Sequence, residues 1–349
     1  MVGIALEGGG ARGAYQAGAY IALVNNGIKP KMIAGTSIGS LNAALMIQGD
    51  TSKMINLWLD TTTDILGINS ELIEKTKSKK ISLDNIKLGY ENLKQILNNK
   101  GIDTSKLLDL INSNINEKKL RKSKIKYGLV TVRLKGMTPL ELTIDDIPQG
   151  KVAEYILASC YLPIFSLKKI IDDNYYLDGG FYNNLPVSLL EKHGCDVIYT
   201  IRIKGIGRSK KKTNPNTKII EIKPKTNLGS MVIFDKESNL THMKMGYYDA
   251  LKVIKNLDGY DYYFYNKPFR YYDRLIRKIN PDTITKLKKK FKTDSNKEMV
   301  IKTMEYLFKE YDYNELALYD IKKEIRYLRK HNMVVKSIFK EFIAACKLF

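Results

Sequence analysis

Histidine is scarce in this 349-residue chain: His193, His242 and His331 are the only three. His193 closes a helical stretch, His242 lies in a polar one, and His331 follows Arg329-Lys330 in a basic tail. None sits in a motif that would mark an imidazole base. Cysteine is equally sparse. Cys160, Cys195 and Cys346 are odd in number and lack metal-ligand spacing, which excludes a disulfide framework and fits reduced thiols of a cytoplasmic protein. No His/Asp cluster suits calcium or zinc, so no metal and no cofactor is expected. No apolar run reaches the roughly 18 residues of a membrane span. No basic segment leading into an apolar stretch precedes the first strand, so no cleaved leader is expected. No Gly-Lys-Ser/Thr follows a glycine loop, which argues against a nucleotide P-loop. Acid is short as well: 37 Asp and Glu against 58 Lys and Arg give a net charge of +21.

What is present is a set of glycine-flanked turns. The apolar run Met32-Ile33-Ala34 leads straight into Gly35-Thr36-Ser37-Ile38-Gly39. Such a turn mounts a nucleophilic serine between a strand and a helix, and glycines at its ends remove Cβ atoms that would clash. Ile38 to Gln48, rich in Ala, Leu, Met and Ile, suits the helix that follows. A plain Gly/Ser turn is the alternative reading. Upstream, Val2–Leu6 is fit for a buried strand and ends in Glu7-Gly8-Gly9-Gly10-Ala11-Arg12-Gly13, before a helix over Ala14–Leu23. Strand, glycine loop and helix present backbone N–H groups to an anion. Gly8, Gly10 and Gly13 match a dinucleotide spacing, but the serine turn stands where that fold wants an acid. An oxyanion hole around Gly9 and Gly10 is the better use. Asp178, in Tyr175-Tyr176-Leu177-Asp178-Gly179-Gly180, ends an apolar strand. Burial there would raise its pKa into the range of a general base; an aspartate that only opens a turn is the plainer reading.

In that order, Gly8-Gly9-Gly10-Ala11-Arg12-Gly13, Gly35-Thr36-Ser37-Ile38-Gly39 and Asp178-Gly179-Gly180 resemble the patatin-like phospholipase family. Ala158-Ser159-Cys160-Tyr161-Leu162-Pro163-Ile164-Phe165 is similar to the family's A-S-x-x-x-P segment, and Asn183-Asn184-Leu185-Pro186 also fits. The resemblance spans residues 2–204 and extends toward the helix near 240–257. It implies a three-layer α/β sandwich with a mainly parallel central sheet flanked by helices. It also implies a Ser–Asp dyad: Ser37 attacks the ester carbonyl of an acyl lipid, Asp178 takes its proton, and an acyl-enzyme is then hydrolysed. The oxyanion would be held by amides of Gly8, Gly9 and Gly10 and by that of Ile38. Arg12 would meet a lipid phosphate or brace the glycine loop, with Gly13, Gly35, Gly39, Gly179 and Gly180 as supporting turns.

The remaining sequence reads as follows. Residues 1–258 form the hydrolase domain, with 51–125 a polar, Lys/Asn-rich helical insertion carrying helices at Lys53–Thr61 and Leu88–Leu97. The insertion acts as a lid or acyl-chain wall, or is a packed layer. Strands are expected at Tyr127–Arg133, Leu140–Ile144, as a pair within Lys169–Leu177, at Val197–Ile203 and at Lys218–Ile222, with helices at Val152–Ser159, Val187–His193 and Leu240–Leu257. Gly205–Pro215 is a basic, breaker-rich loop expected to be mobile. Residues 259–349 form a basic helical extension with 21 Lys and Arg against 12 Asp and Glu. Ile321, Ile325, Leu328, Val335, Ile338, Phe339, Phe342 and Ile343 place one stripe on a terminal helix, which would dock on the hydrolase domain, lie on an anionic bilayer or pair with a partner. The charge suits an anionic membrane surface, so a peripheral place at the inner membrane is expected; solvated lysines are the plain alternative, and no nucleic-acid motif is found. Two function classes follow: an acyl hydrolase of phospholipids or related lipid esters, or a membrane-degrading effector of the same fold that is latent until a partner or small-molecule signal binds.

Overall fold

The computed structural model describes residues 1–66, 101–334 and 337–347. The chain divides into two compact units, Met1–Asp249 and Ala250–Phe349, so the division falls inside a helix rather than after residue 258. The helix expected at Leu88–Leu97 lies outside the described residues.

The first unit is built on one sheet. Its strands are β1 (Val2–Leu6), β2 (Met32–Thr36), β3 (Lys126–Arg133), β4 (Thr138–Thr143), β5 (Tyr176–Asp178), β6 (Val197–Ile201) and β7 (Lys218–Ile222). The order is β4-β3-β2-β1-β6-β7, parallel from β3 to β7. β4 and β5 both run antiparallel to β3. The central strands are continuous apolar runs because both faces are covered. Alternate residues of β3 show the two layers: the Tyr127 hydroxyl donates to the Ser40 carbonyl of α2 (Ile38–Gln48), while a Cβ on neighbouring Gly128 would meet Leu189. On that second face Ala5, Met32, Ala34 and Ile198 pack with Val187, Leu189 and Leu190. This is the three-layer sandwich, with α1 (Ala14–Asn25) beside α2.

The described elements of the insertion are α3 (Thr51–Asp60), a 3-10 turn at Thr63–Leu66, α4 (Ser105–Asn114) and α5 (Glu117–Lys122), with a single β-bridge from Ile102 to Phe165. Asp50 caps α3 by accepting from the Lys53 amide. The strand pair expected within Lys169–Leu177 is shorter than its sequence suggests. It reduces to β5 and an isolated bridge between Ile171 and Asn174, because Asp172 and Asp173 both take positive φ and turn the chain early. Between β4 and β5 lies α6 (Val152–Ser159), after β5 comes α7 (Val187–Lys192), and after β7 comes α8 (Lys236–Lys255).

The second unit has its own core. Its helices are α9 (Phe269–Ile276), α10 (Pro281–Phe291), α11 (Asn296–Glu310), α12 (Ile321–Lys330) and α13 (Ser337–Ala345), with a two-residue parallel pair β8 (Tyr263–Phe264) and β9 (Leu318–Tyr319). Buried Glu305 accepts from the amides of Tyr260, Asp261 and Tyr262, satisfying a turn that would otherwise bury bare donors. The terminal stripe is not one helix. After His331 the chain turns at Asn332, whose φ of 48° lies in the left-handed region that stops a helix. Ile321, Ile325, Leu328, Phe339, Phe342 and Ile343 then fall into the unit's own buried core. The apolar face expected to meet a bilayer, the hydrolase domain or a partner is spent inside this unit. Val335 lies outside the described residues.

Candidate active site

Two strand ends create the site. β2 pairs with β3 up to Thr36 opposite Val130, and β5 pairs with it from Tyr176 to Asp178, with Asp178 opposite Thr131. β4 occupies the other edge of β3, so β2 and β5 approach each other end to end along one edge. Ser37 begins where β2 stops, and Asp178 closes β5. The Ser37 side chain stands close enough to the Asp178 carboxylate to stabilise its charge.

Local backbone forces this encounter. Ser37 has φ 55° and ψ −130°, a conformation that costs energy for any residue with a side chain. The turn is so tight that a Cβ on Gly35 would stand 2.1 Å from the Gly39 carbonyl oxygen. The Ser37 amide donates to the hydroxyl of buried Ser159 at 2.9 Å, and that hydroxyl donates to the Val130 carbonyl at 2.6 Å. Two residues on, the Tyr161 carbonyl accepts the Asp178 amide at 2.8 Å. One segment, Ser159 to Tyr161, therefore holds both residues in place.

Asp178 is 4% exposed. Burial pushes its carboxyl up to about 6, against the opposing pull of the nearby Ser37 side chain and of a hydrogen bond from the Gly180 amide at 2.7 Å. A carboxyl so placed is ionised at neutral pH yet basic enough to share a serine proton. The Cys160 thiol also reaches Ser37; burial and the neighbouring Asp178 carboxylate push its pKa far up, so it stays a thiol.

The glycine loop crosses beside this pair. Gly10 has φ 57°, and a Cβ there would sit 2.0 Å from the Met231 carbonyl oxygen, so only glycine fits. The Gly8 amide donates to the Asn184 carbonyl at 3.1 Å, and the Ala11 amide to the Met231 carbonyl at 2.8 Å. Gly8 is thereby removed from the expected set of oxyanion donors, because its N–H is already committed. Gly9, Gly10 and Ile38, the last at the start of α2, line the cavity. Glu7, buried at the loop's root, accepts from Arg202 at 3.1 Å and from the Ile203 amide at 2.7 Å. A buried polar chain continues from the Glu7 carbonyl through Gln16 and Asn42 to the Trp58 indole N–H.

Arg12 does not line the cavity. Its guanidinium donates to the carbonyls of Ile203, Lys204 and Gly229. Of its two expected uses this is the brace, since each of its nitrogens is engaged with backbone.

The cavity has a volume of about 660 Å³. Ser37, Asp178, Gly8, Gly9, Gly10, Ile38 and Gly180 line one end. Leu57, Trp58, Leu107, Leu110, Phe165 and Phe234 supply apolar wall, so α3 and α4 of the insertion form part of it. Gly13, Gly35, Gly39 and Gly179 are not among its lining residues and support it from behind. None of the three histidines lines it. Among the described residues no cluster of His, Cys, Asp or Glu is placed to hold a metal ion. Sequence reasoning missed Asn184, Ser159, Trp58 and Arg208. The first two sit in segments quoted for their resemblance, but nothing in residue type announced what they hold. The loop expected to be mobile is pinned at its start: the Arg208 amide donates to the Gly180 carbonyl, and the Arg208 carbonyl accepts from Asn184.

A sandwich of this kind, with a serine turn facing a buried carboxylate over an apolar cavity, has the layout of an α/β hydrolytic scaffold. The family model described as patatin-like phospholipase matches residues 4–190, and the chain belongs to that family. M110.7, a Caenorhabditis elegans protein named for a patatin-like phospholipase domain, is 25% identical over 214 residues, which cover 61% of this chain and 17% of that one. Patatin-like phospholipase domain-containing protein 7 of Rattus norvegicus is 25% identical over 210 residues, covering 58% of this chain and 13% of that one. The chain thus spans a small part of the length of these curated relatives. VipD from Legionella pneumophila superimposes over 99% of this chain and 83% of its own at 15% identity, with a TM-score of 0.42. The family implies lipid acyl hydrolysis. Among the described residues no helix is long and apolar enough to cross a membrane.

Proposed function

We propose that this chain cleaves fatty-acyl esters of phospholipids or related lipids through an acyl-enzyme on Ser37, as a phospholipase A or lysophospholipase. The observation that carries this reading is the meeting of Ser37 and a buried Asp178 carboxyl, raised to about 6, where β2 and β5 end at one cavity. Asp178 takes the hydroxyl proton as Ser37 Oγ attacks the ester carbonyl. The negative oxygen of the tetrahedral intermediate is held by the amides of Gly9, Gly10 and Ile38. Collapse expels the alcohol or lysolipid, which receives the proton from Asp178. Water then attacks the acyl-enzyme, Asp178 takes its proton, and Ser37 leaves with that proton as the fatty acid is released. The scheme calls on no cofactor. The apolar wall of Leu57, Trp58, Leu107 and Phe234 receives the acyl chain. A net charge of +21 suits encounter with an anionic membrane surface, where such a substrate is presented.

A fluorophosphonate probe tests the nucleophile directly. Wild-type protein should be labelled on Ser37, with fatty acid released from phospholipid micelles, and Ser37→Ala should lose both. Labelling at another residue with hydrolysis intact in Ser37→Ala would refute the scheme.

A further inference from the structure

Among the described residues the mouth of the cavity carries one cation. Among the described lining residues Arg208 is the only Lys or Arg, and its side chain is exposed. Four basic groups nearby are engaged: Arg12 with three carbonyls, Arg202 with Glu7, Lys204 with the Thr226 carbonyl, and Lys210 with Glu141 and the Tyr182 ring. Among the described residues the Arg208 guanidinium makes no hydrogen bond or ion pair. Its backbone is held at both ends, with the amide on Gly180, two residues past Asp178, and the carbonyl on Asn184, which also binds Gly8. Gly205 and Gly207 pass so close to Gly8, Asn184 and Gly180 that a Cβ on either would clash. A guanidinium on such an anchored stem starts from a fixed point beside the reacting end of the cavity. A planar, always-charged fork is the group suited to a phosphate ester.

A second observation tells which phosphate. Among the described residues three apolar ones both line the cavity and stand in solvent: Ile206 is 82% exposed, Met137 58% and Phe181 47%. Arg208 shares its loop with Ile206. A soluble phosphoester has no use for an apolar rim around its anion site, whereas a lipid presents its phosphate directly above acyl chains.

We infer that Arg208 binds the headgroup phosphate of a glycerophospholipid while Ile206, Met137 and Phe181 rest against the acyl boundary, making Arg208 the residue that favours phospholipids over uncharged acyl esters. This rests on the acyl-hydrolase reading of the same site. The test is a ratio: kcat/KM for a glycerophospholipid divided by kcat/KM for a fatty-acyl p-nitrophenyl ester in the same neutral micelles. Arg208→Gln lowers the ratio about 10- to 100-fold. Arg208→Lys recovers part of it, and Lys211→Gln moves it less than about twofold. An unchanged ratio in Arg208→Gln, or equal losses on both substrates, overturns the assignment. A binding measurement works without turnover. In Ser37→Ala protein, adding Arg208→Gln weakens binding of a dialkyl-ether glycerophospholipid at least about tenfold relative to a dialkylglycerol lacking phosphate. Equal weakening of the two lipids, or none, defeats the proposal. A chain that hydrolyses neither ester would defeat the proposed function alone and leave Arg208 to be decided by this binding result. Free glycerophosphate separates the phosphate sources: it should not displace the ether lipid, and displacement that depends on Arg208 would replace the lipid with a soluble phosphoester.

Discussion

Thr36 and Asp178 stand opposite adjacent residues of one strand, Val130 and Thr131. Two strands running in opposite directions end there, so the residue after Thr36 and the residue that closes β5 share a corner of the sheet. The proposed chemistry depends on that corner.

Ser37→Ala and Asp178→Asn should each lower kcat for phospholipid ester hydrolysis by at least about a thousandfold, with the far-UV circular dichroism spectrum intact. Single-turnover assays measure this. Appreciable turnover in folded Asp178→Asn would mean that another group accepts the serine proton.

The Asp178 carboxyl, raised to about 6, sets the pH profile. The working form is ionised, so kcat/KM should fall about tenfold per pH unit below 6 and level off above it. A profile still flat at pH 5 would contradict this role for Asp178.

The same burial acts on stability with the opposite sense. The folded chain holds this proton more tightly than an unfolded carboxyl of ordinary value 3.8 does. Stability from this group therefore declines as pH rises from about 4 to about 6, and the cost persists above 6. Asp178→Asn should relieve up to about 3 kcal/mol at pH 8, visible as a higher melting temperature. A lower melting temperature at pH 8 would show that the carboxylate is better accommodated than its burial implies.

Gly10→Ala combines a positive φ with a Cβ 2.0 Å from the Met231 oxygen. It should cost at least about 2 kcal/mol and displace the glycine loop. Both effects are read together, by thermal unfolding and by kcat. An alanine variant with wild-type stability would contradict the close approach.

In the second unit Phe342 is fully buried. Phe342→Ala should destabilise that unit by about 3–5 kcal/mol. Hydrogen exchange of α12 and α13 amides in the full-length protein is the measurement. Unchanged protection there would mean that the terminal stripe is not the core of this unit.

Much of the first unit was legible. Val2–Leu6 and Met32-Ile33-Ala34 are short apolar runs leading toward glycine-rich turns, and their strand nature follows from that pattern. Ser37 was legible because a residue with a side chain at such a turn needs Gly35 and Gly39 around it. Asp178 was legible as the end of an apolar stretch before Gly-Gly. Other features left no mark. Gly8 and Gly9 look alike in sequence, yet one amide is taken by Asn184, a residue far along the chain. Arg12 reads equally well as a phosphate ligand or a brace until the carbonyls of Ile203, Lys204 and Gly229 stand around it. The terminal stripe keeps helical spacing through His331 and Asn332, and a single left-handed residue divides it.

The amino-acid sequence by itself determined the local events: which segments become strands, where glycine must turn the chain, and which serine and aspartate end those strands. These depend on neighbours a few residues apart, so they are written in short patterns. The tertiary structure decided the pairing of β2 and β5 on one edge of β3, the depth at which Asp178 is buried, which amides stay uncommitted, and where the terminal apolar faces go. Those depend on contacts between residues tens to hundreds of positions apart, and burial that changes a carboxyl's proton affinity exists only once the chain has closed around it.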